Sequence, residues 1–190
     1  YRNYPASICV SVNEEVVHGI PSESKILKEG DIVSVDIGVI YNGYYGDCAY
    51  TFRVGKIEKK YEKLLEITKT ALLKGIEKAV AGNRVGDISS AIQKYVEMNG
   101  FSVVREFAGH GVGKSLHEYP EIPNFGISGR GELLQENMTI AIEPMVNEGV
   151  PWIKILSDGW TAVTEDGKRS AHFEETVWIK KGKAVILTEI

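Results

Sequence analysis

Acidic residues end two segments of the chain that otherwise resemble apolar strands. Asp36 ends Val33-Ser34-Val35-Asp36, and Glu143 ends Ile140-Ala141-Ile142-Glu143. A second acid follows in each half, Asp47 in the first and the Glu174-Glu175 pair in the second. A buried carboxylate without a partner loses much of its solvation energy. Since these strands place no Lys or Arg beside the acids, the sequence indicates that a cation is needed.

Two divalent cations would meet this need. They would neutralise about four negative charges, and a hydroxide bridging ions roughly 3.5–4 Å apart would be a strong nucleophile at neutral pH. A single acid of this kind is more often structural, with Lys or Arg as its partner. The set as a whole favours a two-metal hydrolase site.

The chain has four histidines, and two of them, His110 and His117, lie in the glycine-rich residues 109–118. Glycines allow the backbone to approach a site closely, so this pair suggests one imidazole on a metal and one on substrate. His18 precedes the turn Gly19-Ile20-Pro21, where a loop side chain can face a cleft. A solvent-exposed loop histidine is the alternative for His18.

Composition limits the class of protein. The 190 residues are 43% hydrophobic and 25% charged, which suffices for one core, so we expect residues 1–190 to form a single domain. A net charge of −4 predicts neither nucleic-acid nor membrane binding. No apolar run approaches the roughly 18 residues of a membrane span. Two cysteines indicate no disulfide framework, and we expect a cytoplasmic protein.

Hydrophobic periodicity predicts strands first and helices later. The turn Asn42-Gly43 predicts a hairpin, and Asp87 is the expected N-cap of a second helix that stops at Asn99-Gly100. The predicted strands cover residues 7–12, 31–40, 44–54, 102–107, 138–146 and 171–179, and the predicted helices cover residues 59–80 and 87–99.

The chain also contains an internal repeat. Residues 27–36 align without gaps to residues 134–143, and both copies end in a carboxylate. Alternation along a strand places Ser34 and Asp36 on one face, and Ala141 and Glu143 on the matching face. Two related halves that face each other across a shared site are therefore expected.

These residues resemble the type I methionine aminopeptidases, which have the α+β pita-bread fold. The resemblance spans essentially the whole chain and rests on the order and spacing of short motifs. They are Val33-Ser34-Val35-Asp36, Gly46-Asp47, Gly109-His110-Gly111-Val112-Gly113, His117-Glu118, Ile142-Glu143-Pro144-Met145 and Phe173-Glu174-Glu175-Thr176. It implies two pseudo-symmetric halves with an antiparallel sheet and flanking helices. Because the repeat needs helices before residue 7, we expect that an N-terminal helical segment is missing.

The resemblance also implies a role for each site residue. Asp36 would chelate one metal, Asp47 and Glu174 would bridge both, and His110 and Glu143 would bind the other. Glu143 is the candidate proton shuttle, His117 would stabilise the carbonyl oxygen, and His18 would position the scissile amide. Glu174 is preferred to Glu175 because it follows Phe173 in the motif and alternation prevents both from facing the metals.

A small apolar pocket is implied for the methionine side chain. The matching positions are Tyr1, Tyr4, Cys9, Leu116 and Trp160, and Leu116 replaces an aromatic residue common in the bacterial enzymes. The implied cofactors are two divalent ions, with Fe, Mn, Co and Zn left open. The implied partners are the N-termini of nascent polypeptides, with the ribosome as a further candidate, and we expect a monomer.

Two other functions are compatible with the same fold. Proline-directed peptidases share all five ligands, and a non-catalytic homologue could reuse the fold for binding. The segment His18-Gly19-Ile20-Pro21 and the compact tail after His117 favour methionine removal, whereas the complete set of ligands disfavours a non-catalytic scaffold.

Overall fold

The computed structural model describes residues 3–189. Within these residues the chain forms helices α1 (Lys59–Ile76) and α2 (Val85–Met98) and fourteen strands. The strands are β1 (Cys9–Val12), β2 (Glu15–Val17), β3 (Ile32–Tyr41), β4 (Tyr44–Arg53), β5 (Ser102–Val103), β6 (Ala108–Gly111), β7 (Glu118–Pro123), β8 (Thr139–Ile142), β9 (Met145–Asn147), β10 (Ile153–Ile155), β11 (Ala162–Thr164), β12 (Ser170–His172), β13 (Glu174–Trp178) and β14 (Val185–Ile186).

One antiparallel sheet organises the molecule, with strand order β1-β3-β4-β13-β8-β6-β7 and with β14 on β13. The pairing of β4 with β13, which we call the seam, joins the two halves of the chain through Glu174 opposite Ala49 and Glu175 opposite Cys48. Two three-stranded sheets, β10-β11-β2 and β12-β9-β5, complete the fold. The α+β class that the resemblance implied is thus confirmed. The two related halves that the repeat predicted are confirmed as well.

The β3–β4 hairpin turns at Asn42-Gly43, as predicted. Both residues have positive φ, 50° and 79°, which suits Asn and Gly at a tight two-residue turn. Ten residue pairs follow, from Ile32 opposite Arg53 to Tyr41 opposite Tyr44. This long ladder fixes the relative positions of the inward-facing residues of the first half.

The main hydrophobic core lies between the two helices and the second half of the sheet. Leu64 and Ile88 are fully buried from the helices, and they belong to the same cluster as Ile140, Ile142 and Val177 of the sheet. The helices therefore serve as the apolar backing of strands β8 and β13. Within residues 3–189, neither helix has the length and apolar character of a membrane span.

Both helices differ in their ends from the sequence prediction. α1 ends at Ile76 rather than at Val80, because Lys78 and Ala79 bond three residues back in a tight turn. α2 begins at Val85, so the prediction that Asp87 is its N-cap is wrong. Asp87 lies in the first turn, and its Oδ2 accepts the backbone N–H of Arg84 at 2.8 Å.

Three predicted strands are interrupted or shortened. The run 138–146 divides into β8 and β9 around Glu143-Pro144, and the run 171–179 divides into β12 and β13 at Phe173. In the run 102–107 only β5 is formed. At each break the chain passes between the large sheet and the sheet β12-β9-β5, and Pro144 has no N–H with which to continue a ladder.

Candidate metal centre and substrate cavity

Five of the predicted residues come from neighbouring strands at the centre of the large sheet. Across the strand order β3-β4-β13-β8-β6 they appear as Asp36, Asp47, Glu174, Glu143 and His110, with Glu143 directly after the end of β8. Ligand atoms of Asp47, His110 and Glu174 lie within 4.8 Å of one another. Strand order alone therefore brings together residues from both halves of the chain.

His110 contacts the acids through one ring nitrogen. Its Nε2 lies 3.6 Å from Asp47 Oδ2 and 3.5 Å from Glu143 Oε1, while its Nδ1 lies 2.9 Å from the Gly111 carbonyl oxygen. The carbonyl can only accept, which assigns the proton to Nδ1 and leaves the Nε2 lone pair facing two carboxylates. Burial lowers the pKa of His110, so the ring is neutral and suited to ligate a metal.

Burial raises the pKa of all four carboxyl groups, and repulsion from neighbouring carboxylates raises it further in three of them, Asp47, Glu143 and Glu174. The pKa of Asp36 rises to about 6 through burial, and that of Asp47 rises to about 7 through burial and the nearby Asp36. The pKa values of Glu143 and Glu174 lie well above the ordinary value for the same reasons. Such a cluster is costly to ionise unless positive charge is present.

Residues 3–189 supply no Lys or Arg charge to these four acids. In residues 3–189 their ion-pair contacts are with histidine rings, and no Lys or Arg pairs with them. Asp47 Oδ1 and Glu174 Oε1 are buried with no hydrogen-bond partner. Unsatisfied carboxylate oxygens beside an imidazole lone pair are what a divalent cation site requires, so these residues fit a divalent metal site.

Glu175, the neighbour of Glu174, lies on the other face of β13. It accepts a hydrogen bond from the Thr188 hydroxyl, and it pairs in the ladder with Cys48 rather than facing Asp47. Strand alternation thus keeps Glu175 away from Asp47 and the other acids of the cluster.

A cavity of about 1060 Å³ opens over the cluster. Its walls include every described residue that was predicted to contact substrate: Tyr4, Cys9, His18, Leu116, His117 and Trp160. Tyr1, which was also predicted, lies outside the described residues. Their roles stay predictions, but the fold does collect them beside the acids.

Aromatic contacts arrange one wall of this cavity. The Trp160 ring meets the Tyr4 ring edge to face at 5.2 Å between centroids and the His18 ring at 6.3 Å. Tyr4 also donates its hydroxyl hydrogen to the Gly19 carbonyl at 2.7 Å. These contacts join Tyr4, His18 and Trp160 into one aromatic wall.

His18 occupies an unusual backbone position. Its φ of 59° lies in the left-handed region, which costs free energy for a histidine. The next residue must be glycine, because a Cβ on Gly19 would lie 2.3 Å from the Val10 carbonyl oxygen. The turn therefore fixes His18 at the cavity wall, rather than leaving it exposed to solvent as the alternative interpretation had it.

His117 lies at the cavity wall, beside His110. The two ring centroids are 4.1 Å apart. His110 lies among the acids and His117 lines the cavity, and the division of the pair between metal and substrate stays a prediction.

Cys9 approaches the cluster from the edge strand β1, where it pairs with Asp36. Burial, followed by the charge of Asp36, raises the pKa of the Cys9 thiol to about 12. Cys9 is therefore a neutral thiol at physiological pH and contributes apolar surface.

Phe107 and Gly38 are among the cavity residues that the sequence analysis missed. Phe107 packs edge to face on His18 at 5.3 Å between ring centroids. Gly38 leaves space between Leu116 and Asp47, since a Cβ there would lie 3.2 Å from Leu116 Cδ1 and 3.7 Å from Asp47 Oδ1. Gly38 follows Asp36 by two residues, so alternation could have placed it on the inner face.

The fold and the cluster together define a pita-bread metallopeptidase. Residues 1–181 match the model of metallopeptidase family M24, and the chain belongs to this family. It is 54% identical to a methionine aminopeptidase from Clostridium acetobutylicum over 188 residues, 99% of this chain and 75% of the relative.

Solved structures agree with this assignment. A methionine aminopeptidase from Thermotoga maritima superposes with a TM-score of 0.95 at 52% identity, over 96% of this chain and 74% of that one. A prolidase from Pyrococcus furiosus reaches a TM-score of 0.78 at 26% identity, over 97% of this chain and 49% of that one. Within its family the chain thus groups with the methionine aminopeptidases rather than with the prolidases.

Proposed function

We propose that this protein removes the initiator methionine from proteins whose next residue is small, with two divalent metal ions. The observation that carries the proposal is a set of four acids and His110 that have no Lys or Arg partners in residues 3–189 and line a large cavity. Asp47, Glu174 and His110 are buried, and Asp36 and Glu143 are half-buried. The methionine aminopeptidases among its relatives support this substrate in preference to X-proline peptides.

The proposed ligand roles follow the strand positions. Asp36 would hold one ion, His110 and Glu143 would hold the other, and Asp47 and Glu174, which lie on the two strands of the seam, would serve both. When bound, the ions polarise the scissile carbonyl and lower the pKa of water. Fe, Mn, Co and Zn all suit such ligands, and availability selects among them.

Three side chains transfer the proton, stabilise the developing charge and position the scissile amide. Glu143, whose pKa is raised by burial and by Asp36 and Asp47, accepts a proton from the attacking water and passes it to the departing amine. His117 stabilises the negative charge that develops on the carbonyl oxygen. His18, fixed by its turn and by Phe107, positions the scissile amide.

The methionine side chain fits the wall formed by Tyr4, Cys9, Leu116 and Trp160. The neutral Cys9 thiol and the aromatic edges suit a thioether, which makes favourable contacts with rings. The partners in this proposal are N-termini of nascent polypeptides, with the ribosome as a candidate docking partner. We further propose that residues 1–190 form one domain, active as a monomer in the cytoplasm.

Peptide hydrolysis tests this function. The chelated protein is assayed with Met-Ala-Ser and with an Ala-Pro peptide, before and after addition of Mn or Co ions. We expect metal-dependent release of methionine and little cleavage before proline. Preferential cleavage of the Ala-Pro peptide would replace the proposal with a proline-directed activity, and absence of both metal binding and turnover would indicate a non-catalytic homologue.

A further inference from the structure

His172 is a buried histidine at the metal centre to which no ligand or catalytic role was given above. Only 1% of its surface is exposed, and neither Nδ1 nor Nε2 has a hydrogen-bond partner. Its Nε2 lies 3.7 Å from Glu143 Oε2, farther than the roughly 2.7–3.2 Å of a hydrogen bond. An unsatisfied buried imidazole is costly, so its retention needs a reason.

The seam gives His172 a structural counterpart. Thr176 Oγ1 accepts the Asp47 N–H at 3.0 Å and donates to the Asp47 carbonyl at 2.8 Å. On the other side of the seam, Thr51 Oγ1 accepts the His172 N–H at 2.9 Å and donates to the His172 carbonyl at 2.7 Å. The local two-fold axis of the seam therefore relates Asp47 to His172.

This relationship refines what the sequence repeat indicated about the second acid of each half. Glu174 lies opposite Ala49, so the same axis relates Glu174 to Ala49 and not to Asp47. The second half thus carries a histidine where the first half carries an acid of the metal cluster. The Thr51 hydroxyl bonds both the backbone N–H and the backbone carbonyl of His172. The His172 imidazole points toward Glu143.

We propose that His172 is a positioning residue that donates its Nε2–H to Glu143 and so holds this carboxylate in the orientation that binds metal. A displacement of somewhat less than 1 Å by either side chain would bring the two atoms to hydrogen-bond distance. Such a donor stabilises the ionised carboxylate, and outer partners of this kind typically change metal affinity by about 10–100-fold.

His172 should lower the stability of the metal-free protein and raise its affinity for metal. Without metal its ring is buried and unsatisfied, and its Nε2 lies 3.7 Å from Glu143 Oε2. With metal bound, the Glu143 carboxylate would accept the Nε2–H. Replacing it by a residue that is only apolar should therefore stabilise the metal-free protein and weaken metal binding. A residue that served packing alone would not separate these two effects.

The test uses His172→Leu, His172→Gln and the full chain, with Mn ions as the probe in titration calorimetry after chelation. His172→Gln keeps an N–H donor. Thr68→Val, a buried hydroxyl in α1 that bonds Leu64 within its own helix, is the matched control. We expect His172→Leu to bind Mn about 10–100-fold more weakly and its metal-free Tm to rise by about 2–4 °C. His172→Gln should recover most of the affinity, and Thr68→Val should bind as the unchanged protein does.

Three results would overturn the inference. They are equal Mn affinity in His172→Leu, a lower metal-free Tm together with weaker binding, or no recovery in His172→Gln. The inference rests on the metal centre proposed above. If the unchanged protein binds no Mn, the proposed centre itself fails, and this outcome is distinct from the other three.

Discussion

Asp47 and Thr176 are joined by two hydrogen bonds through a single hydroxyl group. The Asp47 N–H donates to Thr176 Oγ1 at 3.0 Å, and the same oxygen donates to the Asp47 carbonyl at 2.8 Å. The ladder between β4 and β13 contains only two residue pairs, so this side chain extends the seam beyond its backbone contacts. It thereby sets the position of Asp47 relative to Glu174, which lies two residues before Thr176.

Thr176→Val should therefore destabilise the metal-free protein. The substitution keeps the shape of the side chain but leaves a buried N–H and a buried C=O unpaired. At about 1–3 kcal/mol for each of the two unsatisfied groups, we expect the free energy of unfolding to fall by about 2–6 kcal/mol, measured by urea denaturation. Thr176→Ser keeps the hydroxyl and is the control, and equal loss in both variants would contradict the explanation.

Variants of the metal ligands should lose both bound metal and turnover, whereas a variant of His117 should lose turnover alone. Asp36→Ala and Glu174→Ala should abolish activity because the ions are lost, whereas His117→Ala should retain them and lower kcat by about 10²–10³-fold. Mass spectrometry of the bound metal and steady-state rates on Met-Ala-Ser measure the two quantities. Unchanged turnover in all three variants would refute the assignment of these residues.

The stability of the metal-free protein should depend on pH through Asp47. Burial and Asp36 raise its folded-state pKa to about 7 from an ordinary value of 3.8. Between about pH 4 and pH 7 the folded protein therefore holds a proton that the unfolded chain loses, so rising pH favours unfolding. Asp47→Asn removes this titration.

We accordingly expect the unfolding free energy of the unchanged protein, relative to Asp47→Asn, to decrease from about pH 4 to pH 7 and to level off outside that window. Urea denaturation in the presence of a chelator at several pH values measures the difference. Parallel pH profiles for the two proteins would show that Asp47 is not titrating as a buried acid.

The aromatic wall should matter for methionine binding and not for the metals. Trp160→Ala removes the edge contacts to Tyr4 and His18, so we expect kcat/KM for Met-Ala-Ser to fall by about 10-fold, mainly through KM. Metal content should be unchanged. Trp178→Ala, outside the cavity, is the control, and an equal effect of both substitutions would point to general destabilisation instead.

Repetition and spacing made the centre of this fold predictable. Asp36 and Glu143 end segments that align without gaps, and strand alternation placed both on the inner face. The structure puts them one strand outward from the seam on either side, which is the symmetry that the repeat implied. The hairpin at Asn42-Gly43 was equally predictable, because its turn chemistry is local.

Features that depend on distant contacts were not predictable. The pairing of β4 with β13 is decided by packing, so the sequence did not indicate that His172 lies opposite Thr51. The contact of Phe107 with His18 likewise joins two loop regions. Asp87 was misplaced because an aspartate in the first turn and one at the N-cap give similar sequence patterns, and only the hydrogen bond to Arg84 distinguishes them.

The length of chain between the two sides of the seam has a kinetic consequence. The hydrogen bonds between Asp47 and Thr176 span 129 positions, and contacts at such separation form only after a large loop has closed. Before that closure, ions would find no more than part of the site on either half. Metal should thus leave the folding rate nearly unchanged and slow unfolding, so the ions would set the lifetime of the folded state rather than the speed of its formation.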